Sequence, residues 1–137
     1  MSVEITGSYS GKKKVHLVHG PSGEIIVTDA PRDNGGEEKG FSPTDLIAAA
    51  FGSCVLTTIA IVAERSSINV DGMHMRVEKH MQTEPRRIGS IPLEVHLPSS
   101  LQDHERQKLE RAGLSCPVHK SLHPEVQAEI KFIYDVG

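Results

Sequence analysis

Two cysteines, Cys54 and Cys116, are the residues of this chain best suited to covalent chemistry. A thiolate can attack the O–O bond of a peroxide and become a sulfenic acid, and a second thiol can then condense with that acid to form a disulfide. The scheme requires the two Cα atoms to come within about 7 Å of each other. Because the cysteines are far apart in the sequence, only the tertiary structure can establish this approach.

The residues around Cys116 favour an ionised thiol. Pro117 is typical of a first helical position, so Cys116 is predicted at the N-cap, near free backbone N–H groups and the positive end of a helix. His119 and Lys120 follow within one turn. Each of these features stabilises a thiolate. The alternative is a capping residue without reactivity.

Cys54 lies in the middle of an apolar run, 46–63, that we interpret as a buried helix. The run contains glycine, serine and threonine and is at the short limit of the ~17–25 residues that span a bilayer. A mid-helix thiol gains little from the helix dipole, so a reactive Cys54 would need a cation from another segment. The alternative is a small hydrophobic core residue.

A metal site is a competing interpretation of the second motif. Cys116, His119 and His123 have a spacing that zinc accepts, and Cys54 could be a fourth ligand. The second paired motif of most zinc sites is absent, however, and Cys54 lies inside a helix. We therefore expect neither a metal nor another cofactor.

Composition excludes several classes of partner. The chain has 137 residues, a net charge of -3 and no tryptophan. This length predicts one domain over residues 1–137, and the absence of a basic patch and the scarcity of aromatics argue against nucleic acid and anionic membranes. The first residues do not resemble a signal peptide, so we expect a cytoplasmic protein with reduced thiols.

Hydrophobic patterning predicts an α+β fold with predominantly antiparallel sheet, in the order β-β-β-α-β-β-α-α-β. Ser42, Pro43 and Asp45 form a helix-start signal, and Gly113 is expected just beyond the end of the second helix. The polar segment 29–40 is predicted to be a loop. The strands are expected at 3–8, 14–19, 24–28, 70–82, 88–97 and 127–134, and the helices from Pro43 to about Ser66, at 101–112 and at 117–122.

Two motifs together resemble one known family. Ser-Pro-Thr-Asp-Leu-Ile-Ala-Ala-Ala-Phe-Gly-Ser-Cys ends at Cys54, and Cys-Pro-Val-His-Lys-Ser-Leu begins at Cys116. The pair is similar to the osmotically inducible protein C (OsmC) and organic hydroperoxide resistance family. The resemblance implies an intertwined homodimer with antiparallel sheets around two long central helices and an active site at the dimer interface. It also implies that Cys54 is the peroxidatic cysteine and Cys116 the resolving one.

The resemblance extends to supporting residues, with one departure. Well-studied members have Asn-Pro-Glu at the start of the central helix, and that glutamate helps to hold a catalytic arginine. The matching residue here is Thr44. The candidate cations are Arg32, which shares its loop with Glu37 and Glu38, and Arg86 and Arg87. The supporting candidates are therefore Arg32, Glu37, Glu38, Thr44 and His119.

The resemblance implies a thiol-dependent peroxidase that reduces organic, fatty-acid type hydroperoxides. The reductant it implies is a dithiol or a lipoyl group, and the disulfide would join Cys54 and Cys116. Two alternatives remain open. One is a non-catalytic dimer that binds a small apolar ligand or senses redox state, which the Thr44 departure favours. The other is a purely structural role for both cysteines.

Overall fold

The computed structural model describes all 137 residues and confirms the α+β class. Eight strands, three α-helices and one short 3-10 turn follow each other along the chain. Their order is β1 Ile5–Gly11, β2 Lys14–His19, β3 Ile25–Asp29, the turn Arg32–Asn34, α1 Pro43–Arg65, β4 His74–Val77, β5 His80–Gln82, β6 Arg87–Ser90, β7 Leu93–Pro98, α2 Asp103–Leu114, α3 Pro117–Ser121 and β8 Ile130–Val136.

The chain divides into two compact units, Met1–Leu46 and Ile47–Gly137. In the first unit, β1, β2 and β3 form the predicted antiparallel meander, with β2 in the centre. The predicted loop 29–40 follows and contains only the short turn Arg32–Asn34. The sequence predicts a single domain over residues 1–137, and the division into two compact units leaves this a prediction.

Helix α1 begins where the local signal places it. The Ser42 N–H donates to Asp45 Oδ2 at 2.9 Å, and the Asp45 N–H donates to Ser42 Oγ at 3.1 Å. This reciprocal pair satisfies two N–H groups that a helix start leaves free. The helix ends at Arg65, one residue before the predicted end.

One face of α1 is buried, and another face is exposed to solvent in the single chain. Phe51, Val55 and Ile59 are fully buried, whereas Ile47 is 42% and Ile61 is 44% exposed. By length and composition alone α1 could cross a membrane, a criterion that the core helices of many folded domains also meet. Its fully buried residues belong to the hydrophobic core, which favours the interpretation as a core helix.

The largest sheet of the second unit has the order β4-β7-β8. Burial alternates along β7, where Leu93, Val95 and Leu97 point into the core. Strand β8 runs parallel to β7, whereas the other pairs of strands are antiparallel, in agreement with the predicted predominance of antiparallel sheet. Parallel neighbours need a long crossover connection, and α2 and α3 provide it here.

The two long strands predicted at 70–82 and 88–97 are each divided in two. The first separates into β4 and β5, and the second into β6 and β7. The breaks face each other, because the Glu78 N–H donates to the Pro92 carbonyl at 3.2 Å. Pro92 has no N–H for a strand ladder. Strands β5 and β6 consequently form a separate two-stranded hairpin.

Gly113 does not terminate α2, contrary to the prediction. The helix continues to Leu114, and Ser115 is its C-cap. Gly113 is buried, and a Cβ at this position would lie 3.3 Å from side-chain atoms of Val55, Ile59 and Phe132. The glycine is therefore needed for close packing of α2 against α1 and β8, not for a turn.

Candidate active site

Cys116 lies at the start of α3, as predicted. It is the N-cap residue, and Pro117 occupies the first helical position. Its side chain is fully buried and belongs to the hydrophobic core. The chain therefore leaves α2 at Ser115 and places the next residue directly in the interior.

Cys54 lies in the middle of α1 and is half-buried. Its carbonyl accepts a hydrogen bond from Thr58 Oγ1 at 2.8 Å. Both cysteines are free thiols, and the Cys54 thiol acts on Cys116 as a hydrogen-bonding and electrostatic neighbour. The structure thus brings together the two residues that the sequence separates.

Burial raises the pKa of the Cys116 thiol above its ordinary value, and the hydrogen bond with Cys54 raises it further. The backbone N–H groups of His119 and Val118 lower this pKa, but with less effect than burial. The thiol forms no capping hydrogen bond of standard geometry with them. The prediction that the helix start makes Cys116 a thiolate is therefore wrong, because desolvation favours the neutral form.

His119 contacts α1 one turn away from the cysteines. The centroid of its half-buried ring lies 5.7 Å from the Phe51 ring centroid, with the planes tilted by 30°. Phe51 precedes Cys54 by three positions, and His119 follows Cys116 by three. Residues three apart lie on neighbouring positions of one helical face. Two contacts of matching spacing therefore join α1 and α3.

Three supporting candidates make contacts inside the unit Met1–Leu46. Arg32 Nε lies 3.0 Å from Glu38 Oε2, and both side chains are exposed. The hydroxyls of Thr44 and Ser42 are 3.2 Å apart. Thr44 therefore takes part in the polar cluster at the start of α1. The catalytic roles suggested for Arg32, Glu38 and Thr44 stay predictions.

Glu37 belongs to a group of charges that closes the loop 29–40, which we name the loop clasp: Lys14, Asp29, Glu37 and Lys39. Lys14 Nζ lies 2.7 Å from Glu37 Oε1 and 3.6 Å from Asp29 Oδ2. Asp29 Oδ2 also accepts from the Lys39 N–H at 3.1 Å. Sequence reasoning missed Asp29, although its position between a strand and a glycine-rich loop is typical of a loop anchor.

The loop clasp shifts the ionisation of its members. The backbone N–H of Lys39, followed by the charge of Lys14, lowers the pKa of Asp29, although its desolvation acts in the opposite direction. Hydrogen bonds from Lys14 and Lys39 lower the pKa of Glu37. Both carboxylates are therefore held in the charged form.

The structure offers no support for the zinc alternative. No three His, Cys, Asp or Glu side chains approach each other closely enough to hold a metal ion. His123, the third ligand of the proposed set, has its Nδ1 3.3 Å from Arg87 Nη1. Arg87 also pairs with Glu125, so this candidate cation already has partners next to α3.

Comparison with known proteins identifies similar chains. A protein-family model described as OsmC-like protein matches residues 36–131. A crystal structure from Psychrobacter arcticus, of a protein provisionally described as an osmotic stress induced and detoxification response protein, has 34% identity and a TM-score of 0.89 over 93% of each chain.

More distant similarities are found in both structure and sequence. A crystal structure of an organic hydroperoxide resistance protein OsmC from Legionella pneumophila is 19% identical, with a TM-score of 0.77 over 97% of each chain. An uncharacterized protein of Acinetobacter baylyi is 24% identical over 112 residues, which is 80% of this chain and 78% of that one.

Proposed function

Because this chain belongs to the OsmC-like protein family, we propose that it is a thiol-dependent peroxidase that reduces organic hydroperoxides through Cys54 and Cys116. The observation that carries the proposal is the placement of the two thiols as hydrogen-bonding neighbours. Disulfide formation requires this proximity. If each cysteine were only a residue of the hydrophobic core, the two thiols would have no need to be neighbours.

The exposure of the two cysteines supports a division of roles. Cys54 is half-buried and can be reached by a small substrate, whereas Cys116 has no exposed surface. The Cys54 thiolate attacks the terminal peroxide oxygen, the O–O bond breaks, and the alcohol leaves with one proton. The Cys116 thiol then attacks the Cys54 sulfenic acid, and the disulfide forms with release of water. A dithiol or lipoyl-type reductant restores both thiols.

The apolar surroundings favour an organic substrate of fatty-acid type. Phe51 is fully buried three residues before Cys54, and Val118 and Leu122 are half-buried against the same core. An apolar chain gains free energy when it contacts such side chains, which hydrogen peroxide cannot do. This difference supports the predicted substrate class.

The open side of α1 supports the predicted homodimer. Ile47 and Ile61 are both more than 40% exposed on a helix that is apolar on nearly all sides. A second copy of the chain would remove this apolar surface from water. The proposed dimer acts in the cytoplasm, where a thiol pool keeps both cysteines reduced between turnovers.

A stopped-flow assay with cumene hydroperoxide and a dithiol reductant tests the proposal. Wild-type protein should consume the peroxide far faster than free cysteine, and Cys54→Ser should reduce the rate to that of free thiol. Cys116→Ser is the matched variant, and it should react once and accumulate a Cys54 sulfenic acid that dimedone traps. Wild-type rates equal to those of free cysteine would contradict the enzyme proposal.

The second candidate function is a non-catalytic dimer that binds a small apolar ligand or senses redox state. Thr44, bonded to Ser42, favours this candidate, because the family resemblance places a glutamate at that position. A sensor would form the Cys54–Cys116 disulfide slowly and only once, without turnover in excess reductant. The same assay therefore separates the two functions.

A further inference from the structure

His119 is a titratable side chain next to the thiol pair that the reaction scheme above leaves without a role. Its half-buried ring is held against the fully buried Phe51, and no hydrogen bond or ion pair engages its ring nitrogens. An imidazole that is held by an aromatic contact alone keeps both nitrogens available to a substrate or a neighbouring thiol.

The position of His119 matches the place where protons must move. It lies one turn after Cys116 on α3, and side chains three apart on a helix have their Cβ atoms about 5–6 Å apart. Its contact with Phe51 brings the ring to α1 one turn before Cys54. The imidazole therefore lies between the two helices, about one turn along each from the thiol pair.

We propose that His119 is the acid–base residue of the thiol pair, which donates a proton to the alcohol that leaves the peroxide and accepts the proton of the Cys116 thiol during disulfide formation. This inference rests on the proposed function for its first step. Its second step needs only the two cysteines.

The proton balance closes over one cycle. When Cys54 ionises, its proton passes to His119, and the imidazolium then protonates the alkoxide as the O–O bond breaks. The neutral imidazole next accepts the Cys116 proton, and the resulting thiolate attacks the Cys54 sulfenic sulfur. The imidazolium returns that proton to the departing hydroxide, which leaves as water, and the external dithiol reduces the disulfide.

The surroundings make such a base necessary. Because burial raises the pKa of Cys116, this thiol is neutral at physiological pH and a poor nucleophile until its proton is removed. The ionisable groups nearest to this contact along the chain are Cys54, three residues after Phe51, Cys116, three residues before His119, and the exposed Lys120 directly after it. Beyond α3, His123 is engaged by Arg87.

The experiment follows each step separately over a range of pH. The first readout is sulfenic acid formation with cumene hydroperoxide. The second starts from a mixed disulfide between Cys54 and 5-thio-2-nitrobenzoate, and it measures release of the coloured thiolate when Cys116 attacks. His119→Phe keeps the aromatic contact with Phe51, His119→Gln keeps a polar side chain, and His104→Gln on the exposed side of α2 is the matched control.

We expect both His119 variants to slow the second step by about 10²-fold at neutral pH, the lower range of general acid–base catalysis. The pH profile of this step should also differ from that of wild type in both variants. Added imidazole should restore part of the rate in His119→Gly, which a purely structural role for His119 would not explain. His104→Gln should behave as wild type.

Wild-type rates and an unchanged pH profile in His119→Phe or His119→Gln would overturn the inference. The outcome for the second step is independent of the peroxidase proposal. If cumene hydroperoxide reacts no faster than with free cysteine, the proposed function fails, while release of the coloured thiolate still decides whether His119 is the base for Cys116. If the peroxide step is fast and neither it nor release of the coloured thiolate depends on His119, the inference fails and the function stands.

Discussion

The ring of His119 lies 5.7 Å from the ring of Phe51, and each residue is three positions from a cysteine of the thiol pair. The contact joins the short helix α3 to the central helix α1 at a second point, next to the thiols themselves. Because α3 has only five residues, its orientation depends on such tertiary contacts and not on helix propensity. The same contact therefore holds Cys116 in its buried position.

The two cysteines should differ strongly in reactivity towards iodoacetamide at neutral pH. We expect Cys54, measured in Cys116→Ser, to be alkylated at least about tenfold faster than Cys116, measured in Cys54→Ser. Cys54 is half-buried, whereas Cys116 has no exposed surface and a raised pKa. Mass spectrometry of quenched samples gives both rates. Equal rates would show that Cys116 is not buried in solution.

Stability should decrease at alkaline pH because of Cys116. The folded-state pKa of this thiol is raised above its ordinary value of 9.0, chiefly because burial disfavours the thiolate. Its contribution is therefore fully present below pH 9 and is lost as the pH rises from there through the folded-state pKa. The free energy of unfolding by urea, measured at several pH values, should decrease less steeply above pH 9 in Cys116→Ala. Parallel curves for the two proteins would contradict this expectation.

Substitution of Gly113 by alanine should destabilise the second unit. The new Cβ would lie 3.3 Å from side-chain atoms of Val55, Ile59 and Phe132. Overpacking costs about 1–3 kcal/mol and exceeds the helix-propensity gain of about 1 kcal/mol, so we expect a net loss of about 1 kcal/mol. Thermal unfolding measures it, with Gln107→Ala on the exposed side of α2 as control. A gain in stability would mean that the neighbours give way easily.

The loop clasp should open in acid. Since the pKa of Asp29 is lowered from 3.8, its contribution is present above that value and is lost as the pH falls through the lowered pKa. Amide exchange at the Lys39 N–H, which donates to Asp29, should therefore accelerate below about pH 4, after correction for intrinsic rates. In Asp29→Asn the exchange should be fast at every pH, whereas the exposed control Glu4→Gln should match wild type.

A charge on the open side of α1 should prevent dimer formation. Sedimentation velocity should show a dimer for wild type and a monomer for Ile61→Glu, because a buried, unpaired carboxylate costs far more than the lost apolar contact. Ile61 is 44% exposed in the single chain. Gln107→Glu adds the same charge to an exposed polar position and should remain a dimer. A wild-type monomer would count against the proposed assembly.

Several features of the fold were predictable because their causes are local. Ser42, Pro43 and Asp45 predict the start of α1, and the reciprocal hydrogen bonds of Ser42 and Asp45 confirm it. Pro117 likewise predicts the start of α3. A cap depends on atoms within one helical turn, so a short stretch of sequence contains the information that determines it.

Other features depended on distant residues, and of the two described here one was predicted wrongly and one was not predicted. Gly113 has the sequence position of a helix terminator, but the absence of its side chain leaves room for Val55 and Ile59 of α1 to pack closely against α2. The strand β8 pairs in parallel with β7 because the α2 and α3 connection carries the chain back to the same end of the sheet. No local sequence pattern predicts either the packing role of Gly113 or the parallel pairing of β8 with β7.

The sequence by itself determined which residues can react and which helices hold them, since Cys54 and Cys116 and their flanking motifs are local properties of the chain. Only the tertiary structure decided that the two thiols are neighbours and that Cys116 is the buried one with the raised pKa. The physical reason is that desolvation of the Cys116 thiol depends on every segment that packs around it, and these segments are far apart in the chain. At Cys116 this effect outweighs the local N–H groups from which a thiolate was predicted.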